Sequence, residues 1–145
     1  MEWQEPKTDW KIQPAVNGMY AGDWFNASDY NRIAGNLEYL AALGATVYKP
    51  VSIDPMPTIT YQDYGLPSYF NLIEDNLLSI AEGTYSPPSY EGKKTWAANG
   101  PAPTVEDLNR WERTILLIYE NYQMRMAGWV KLPVPMPQNF GGSEW

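Results

Sequence analysis

Asp23-Trp-Phe-Asn26-Ala-Ser-Asp29-Tyr30-Asn31-Arg32-Ile33-Ala-Gly-Asn36-Leu37-Glu-Tyr-Leu40-Ala-Ala-Leu43 is the stretch whose reading decides the fold. Tyr30, Ile33, Leu37 and Leu40 fall at steps of three, four and three, which puts them on one face of an α-helix. Asn26 is a good N-cap, because its side-chain oxygen can take an orphan amide of the first turn, and Asp29 suits the positive helix end. Gly44 stands where a chain leaves a helix in a left-handed turn. The spacing predicts a helix over about 27–43.

The pattern returns twice. Phe70, Ile73, Leu77 and Ile80 repeat the stripe, Asn71 and Asn76 match Asn31 and Asn36, and Pro67 suits a first helical turn. Thr104, Asp107, Asn109-Arg110 and the stripe Leu108, Trp111, Ile115, Ile118 form a third copy. The second and third helices are expected over about 67–82, with Gly83 as a C-terminal glycine, and 105–127. Any helix needs a cap and a stripe, but burial alone does not demand a recurring Asn or Asn-Arg. Asn is a poor residue inside a helix, so Asn31, Asn71 and Asn109, with Arg32 and Arg110, read as structural buckles bonded to something fixed, such as loop backbone. The two arginines have Asp29 and Asp107 as local partners and adjoining segments as distant ones.

Between these helices lie most of the 13 prolines and 11 glycines, mixed with many of the 7 Trp and 11 Tyr residues. The expected architecture is therefore a single mainly α domain over 1–145. It has a three-helix core dressed by long Pro/Gly/aromatic-rich irregular arms, with an extended N-terminal arm over 1–22 and an extended tail over 129–145. Ala45–Tyr48 and Thr58–Tyr61 have strand-like composition and are candidates for a short hairpin, although Pro50, Pro55 and Pro57 limit pairing. Trp111, Trp24 and Tyr30 read as core. Trp3, Trp96, Trp129 and Trp145 sit among turn-formers and read as interface residues. Trp10 is assigned to the same interface set, its arm docking on a neighbouring subunit, with the alternative that Trp10 or Trp24 tucks against the first helix.

The formal net charge is -7, which argues against a nucleic-acid surface built on phosphate neutralisation. There is no cysteine and no histidine, so the commonest thiolate and imidazole metal ligands, nucleophiles and general bases are missing. No EF-hand spacing or phosphate loop is present. The acids of Glu74-Asp75 lie beside the apolar stripe and read as a solvated face, as do the mixed charges of the third helix. The chain is expected to be no enzyme and to need no cofactor or metal. No signal peptide and no apolar run of membrane-spanning length are visible, so a soluble product made in a cytoplasm is expected.

Thr8-Asp9-Trp10, Gly22-Asp-Trp-Phe-Asn26 and Ser28-Asp-Tyr-Asn-Arg-Ile33 with Asn36-Leu-Glu-Tyr-Leu40 resemble small structural proteins of tailed bacteriophages and prophages. These are encoded among tail and baseplate genes of phages of Gram-positive hosts. The similarity is most specific over Thr8–Leu43 and continues more loosely through Asn71–Leu77 and Thr104–Glu112. It implies a virion component, a tail, baseplate or fibre-adaptor subunit, whose partners are copies of itself and other virion proteins. It carries over no catalytic residue. Longer relatives continue past the third helix, so the resemblance favours an adaptor or connector. Pro-rich arms lose little entropy on docking and suit chains that run across neighbours to lock a ring. The alternative is a carbohydrate-binding module for host-wall glycans, using Trp96, Tyr85 and Tyr90.

Overall fold

The computed structural model describes residues 2–11, 25–60 and 67–128. Its regular elements are three helices, α1 (Ala27–Val47), α2 (Pro67–Gly83) and α3 (Val105–Met126), each packed on the other two. Among the described residues there is no β-strand, and the fold is mainly α with a three-helix core. The stripes read from the sequence build that core. Tyr30, Ile33, Leu37 and Leu40 of α1 meet Ile73, Leu77 and Ile80 of α2 and Trp111, Ile115 and Ile118 of α3, all buried. Full burial of each such side chain stabilises the fold by about 1.5–3 kcal/mol before ordering entropy is counted.

The helix starts follow from local chemistry. The backbone amide of Asn26 donates to the Asp29 carboxylate at 2.8 Å, and that of Thr104 to the Asp107 carboxylate at 3.0 Å. Both acids close a capping box and sit at a positive helix end.

Gly44 acts otherwise than expected, and Gly83 does more than end its helix. α1 does not stop at Gly44 but continues to Val47, and the only positive-φ glycines among the described residues are Gly92 and Gly128. A Cβ on Gly44 would lie 2.8 Å from the Tyr122 hydroxyl, and one on Gly83 would lie 2.6 Å from Val51 Cγ2. Both glycines therefore permit close approach by a neighbouring side chain, the buried Tyr122 ring and the half-buried Val51. α2 does end on Gly83 as expected, whereas the left-handed exit expected at Gly44 is not there.

The expected hairpin is absent for a related reason. Ala45, Thr46 and Val47 complete α1, while Thr58, Ile59 and Thr60 belong to no strand; Tyr61 lies outside the described residues. Three extended segments, termed here strap 1 (residues 2–11), strap 2 (51–60) and strap 3 (85–96), lie against the helices instead. α1 is closed at its C-terminal end by α3, whose Arg125 Nε donates to the Val47 carbonyl at 2.6 Å, its guanidinium resting on the Tyr48 ring.

Candidate functional site

Each strap is held by helix asparagines acting as surrogate strands. A side-chain carboxamide presents the same donor and acceptor as a peptide group, so one Asn can satisfy both the N–H and the C=O of a facing residue. Asn31 does this for Ile59, Asn71 for Trp96 and Asn109 for Trp10, with all six distances between 2.7 and 2.9 Å. Asn36 does the same for Gln4, and Asn76 for Asp54, between 2.8 and 2.9 Å. Thr114 stands at the corresponding place in α3. The recurring asparagines thus explain why these arms are ordered without sheet.

The pairing is cyclic. Strap 1 runs from Asn36 of α1 to Asn109 of α3, and strap 2 from Asn76 of α2 to Asn31 of α1. Strap 3 follows α2 and reaches back to its Asn71. Each strap ends its clamp at a large apolar residue, Trp10, Ile59 or Trp96, and all three are buried. The straps share a pattern that the helix-centred reading of the sequence passed over: Glu5-Pro-Lys-Thr-Asp-Trp10, Asp54-Pro-Met-Pro-Thr-Ile59 and Glu91-Gly-Lys-Lys-Thr-Trp96. Aligning the segments before each helix copy would have exposed it.

Two of the three sockets contain a buried ionic cluster. In the first, Glu112 of α3 accepts from Arg32 Nε and Nη2 of α1 (2.9 and 2.7 Å), from the Lys7 backbone amide (2.9 Å) and from Trp10 Nε1 (2.5 Å). In the second, Glu74 of α2 accepts from Arg110 Nη1 and Nη2 of α3 (3.2 and 2.6 Å), from the Lys94 amide (3.2 Å), and from Trp96 Nε1 and Trp111 Nε1 (both 3.0 Å). Glu74 is 0% and Glu112 1% exposed. Burial alone would lower the Arg32 and Arg110 guanidinium groups. Glu112 with Asp29, and Glu74 with Asp107, outweigh it and hold both above their ordinary value. The solvated-face reading of Glu74 and of the third helix's charges is therefore corrected: Glu74, Glu112 and Asp107 are buried anchors, and of the Glu74-Asp75 pair only Asp75 faces solvent, against Lys93.

The third socket is apolar by sequence. Leu72 stands where Arg32 and Arg110 stand, Ala34 where Glu74 and Glu112 stand, and Ile59 where the tryptophans stand. Pro57, two residues before Ile59, matches Lys94, two before Trp96. A proline has no N–H, so this socket needs no acceptor for it, and the loss of the glutamate is matched by the loss of a donor.

The interface expectation is accordingly corrected for Trp10 and Trp96. Both are core residues, 4% and 9% exposed, drawn inward because each indole N–H needs the buried carboxylate. Trp3 is half-buried and stacks on Tyr119 of its own chain at 3.8 Å between ring centroids, with Tyr39 alongside. Trp129 and Trp145 lie outside the described residues, as do Trp24 and the tail. Of the three residues of the glycan-stacking alternative, Trp96 is buried, while Tyr85 and Tyr90 are half-buried against the core; the Tyr90 hydroxyl is buried, with its proton held to about 12, chiefly by desolvation. An open cleft of about 640 Å³ beside strap 3 is lined by Lys94, Trp96, Pro101, Glu106 and Asp107, and Lys94 closes one side by its 2.7 Å ion pair to Asp107.

Among the described residues, no cluster of three or more metal-ligating side chains occurs, and no helix is long and apolar enough to cross a membrane. No family model matches this chain, and neither does any curated protein or solved structure.

Proposed function

We propose that this chain is a structural building block of a tailed-phage particle, a tail, baseplate or fibre-adaptor subunit that works by holding extended chain against helices. One observation carries the reading. Residues of the phage-type motif are among those that hold straps to helices: Asn31 and Asn36 clamp strap backbone, Trp10 bonds Glu112, and Arg32, braced by Asp29, pairs with that same glutamate. The motif thus marks a docking scaffold. Its polar atoms are engaged by backbone, indole and guanidinium groups of the chain itself, which suits assembly better than turnover of a substrate. On this reading its partners are copies of itself and other virion proteins, and its place is the particle.

Peptide mass spectrometry on density-purified particles from the host that carries the gene tests this, with copy number calibrated against the major capsid protein. Recovery in a fixed multiple of a ring symmetry such as three, six or twelve is the expected result. Absence from clean particles would overturn the assignment.

A further inference from the structure

We infer that the leading half of strap 3, residues 85–92, is a lid over α3 that lifts by itself while straps 1 and 2 and the three helices stay closed. The clamps set it apart. Strap 1 is held at both ends, by Asn36 and Asn109, and strap 2 by Asn76 and Asn31. Strap 3 is held at its far end only, by Asn71. The paired asparagines stand five residues apart on α1 and on α2, and five residues beyond Asn109 α3 carries Thr114. Thr114 is buried, but one short hydroxyl cannot span both the N–H and the C=O of a facing residue as a carboxamide does. Among the described residues, the one backbone hydrogen bond of 85–92 runs from the Tyr90 amide to the Pro87 carbonyl, a turn closed on itself.

Where the sixth clamp would stand there is a pocket of about 190 Å³, lined by Ser89 and Glu91 on the lid and by Arg110, Arg113 and Thr114 on α3. Seating the lid also strands polar atoms. The Tyr90 hydroxyl and Arg110 Nε are both buried without a hydrogen-bond partner among the described residues, whereas the equivalent Arg32 Nε donates to Glu112 at 2.9 Å. An unmet buried polar group is destabilising, and lifting the lid lets water reach both. What holds the lid down is the packing of Tyr85 and Tyr90, half-buried against the core. That packing keeps it closed most of the time, with no backbone clamp to add to it.

The hinge is Gly92. Its φ of 97° lies in the region that favours glycine, and nothing stands within 4 Å of an added Cβ, so the backbone can turn there unhindered. Beyond it the strap is tight. The Lys94 amide and the Trp96 indole bond Glu74, Lys94 Nζ pairs with Asp107, and the Trp96 backbone is clamped by Asn71. The Lys93–Asp75 pair at the boundary is 45% and 43% exposed, and an exposed pair of this kind holds little. Lifting the lid therefore leaves the Glu74 cluster in place, and with it the joint between α2 and α3.

Native-state amide exchange on the full chain, read residue by residue by NMR, tests this. Corrected for intrinsic rates, the Tyr90 amide should exchange at least about tenfold faster than the amides of Trp10, Ile59 and Trp96, at a rate that hardly responds to dilute urea. Thr114→Asn supplies the sixth carboxamide opposite the lid and should slow exchange at Tyr90 at least about tenfold while leaving Trp10 and Ile59 unchanged. A turn that merely frays would not respond to residue 114. A Tyr90 amide in the parent chain less than about tenfold faster than the other three would overturn the inference, whether or not the variant folds. So would a folded Thr114→Asn chain in which Tyr90 exchanges as before. Either result leaves the particle assignment to its own test.

Discussion

Replacing Glu74 by Gln keeps the volume of the side chain and removes only its charge and half of its accepting capacity. The wild-type carboxylate, fully buried, serves Arg110 twice, two indole N–H groups and the Lys94 amide. A carboxamide has one oxygen for these donors and points its own NH₂ at the others. Arg110 would keep only the 3.4 Å contact to Asp107. Breaking one partner of a buried pair in this way costs about 3–5 kcal/mol, a large part of the roughly 5–15 kcal/mol that holds a domain folded. With a urea slope of about 2 kcal/mol/M, the unfolding midpoint should fall by about 2 M. The adjacent Asp75→Asn breaks an ion pair whose side chains are 43% and 45% exposed, and should cost no more than about 1 kcal/mol. Removing both charges with Glu74→Gln/Arg110→Met should restore at least about 1.5 kcal/mol of the loss, because the stranded cation is gone. Urea titrations followed by far-UV circular dichroism decide the matter. A Glu74→Gln chain within about 1 kcal/mol of the parent at unchanged slope, or a double variant no better than the single, would refute the reasoning.

Asn109→Ala removes both bonds to the Trp10 backbone and should cost about 2–4 kcal/mol, with faster proteolytic cleavage after Lys7 and Lys11 as the sign that strap 1 has come away. Gly35 has nothing within 4 Å of an added Cβ, so Gly35→Ala should raise the melting temperature through about 0.5–1 kcal/mol of helix propensity. Gly44→Ala should lower it instead, since the methyl meets Tyr122, which is fully buried and bonded to Thr84. Burial alone would raise the Asp107 carboxyl, but Lys94 and the Thr104 amide outweigh it and hold it below 3.8. Its contribution is therefore complete above pH 3.8 and lost as pH falls through the lower folded value, an acid limb that Asp107→Asn should flatten. Desolvation raises the Tyr30 hydroxyl to about 12 from 10.0, so its contribution is complete below pH 10.0 and lost as pH rises towards 12. Tyr30→Phe should blunt that alkaline limb and, because the hydroxyl is buried without a partner among the described residues, should cost nothing at neutral pH.

The helices were legible because periodicity reports burial directly: Ile33, Leu37, Ile73, Leu77, Ile115 and Ile118 sit on their expected faces and are fully buried. The recurring Asn was legible as a buckle, but its partner was not, since Asn109 and Trp10 are 99 residues apart and nothing local links them. Trp10 and Trp96 were misread because proline and glycine neighbours suggest exposed loop, whereas an extended strap clamped by side chains is buried without being regular. Glu74 was misread because a charge beside a stripe is usually solvated. Only the knowledge that an arginine and two indoles converge on it turns it into an anchor. Gly83 was legible as the end of α2, but Gly44 looked like a helix stop as well, and no sequence signal separates a stop from a contact with a distant ring.

Strap 1 has a consequence for the order of events during synthesis. The Lys7 and Trp10 amides and the Trp10 indole bind partners 99 to 105 residues further along the chain. At roughly 5–20 residues per second, the arm leaves the ribosome about 5–20 s before α3 exists to receive it. Strap 2 uses only α1 and α2, so those elements can settle first. The Lys7–Trp10 part of strap 1 is made before α1 and yet can be seated only after α3. For that interval every nascent chain carries the indole and its neighbouring amides without the glutamate and asparagine that will receive them.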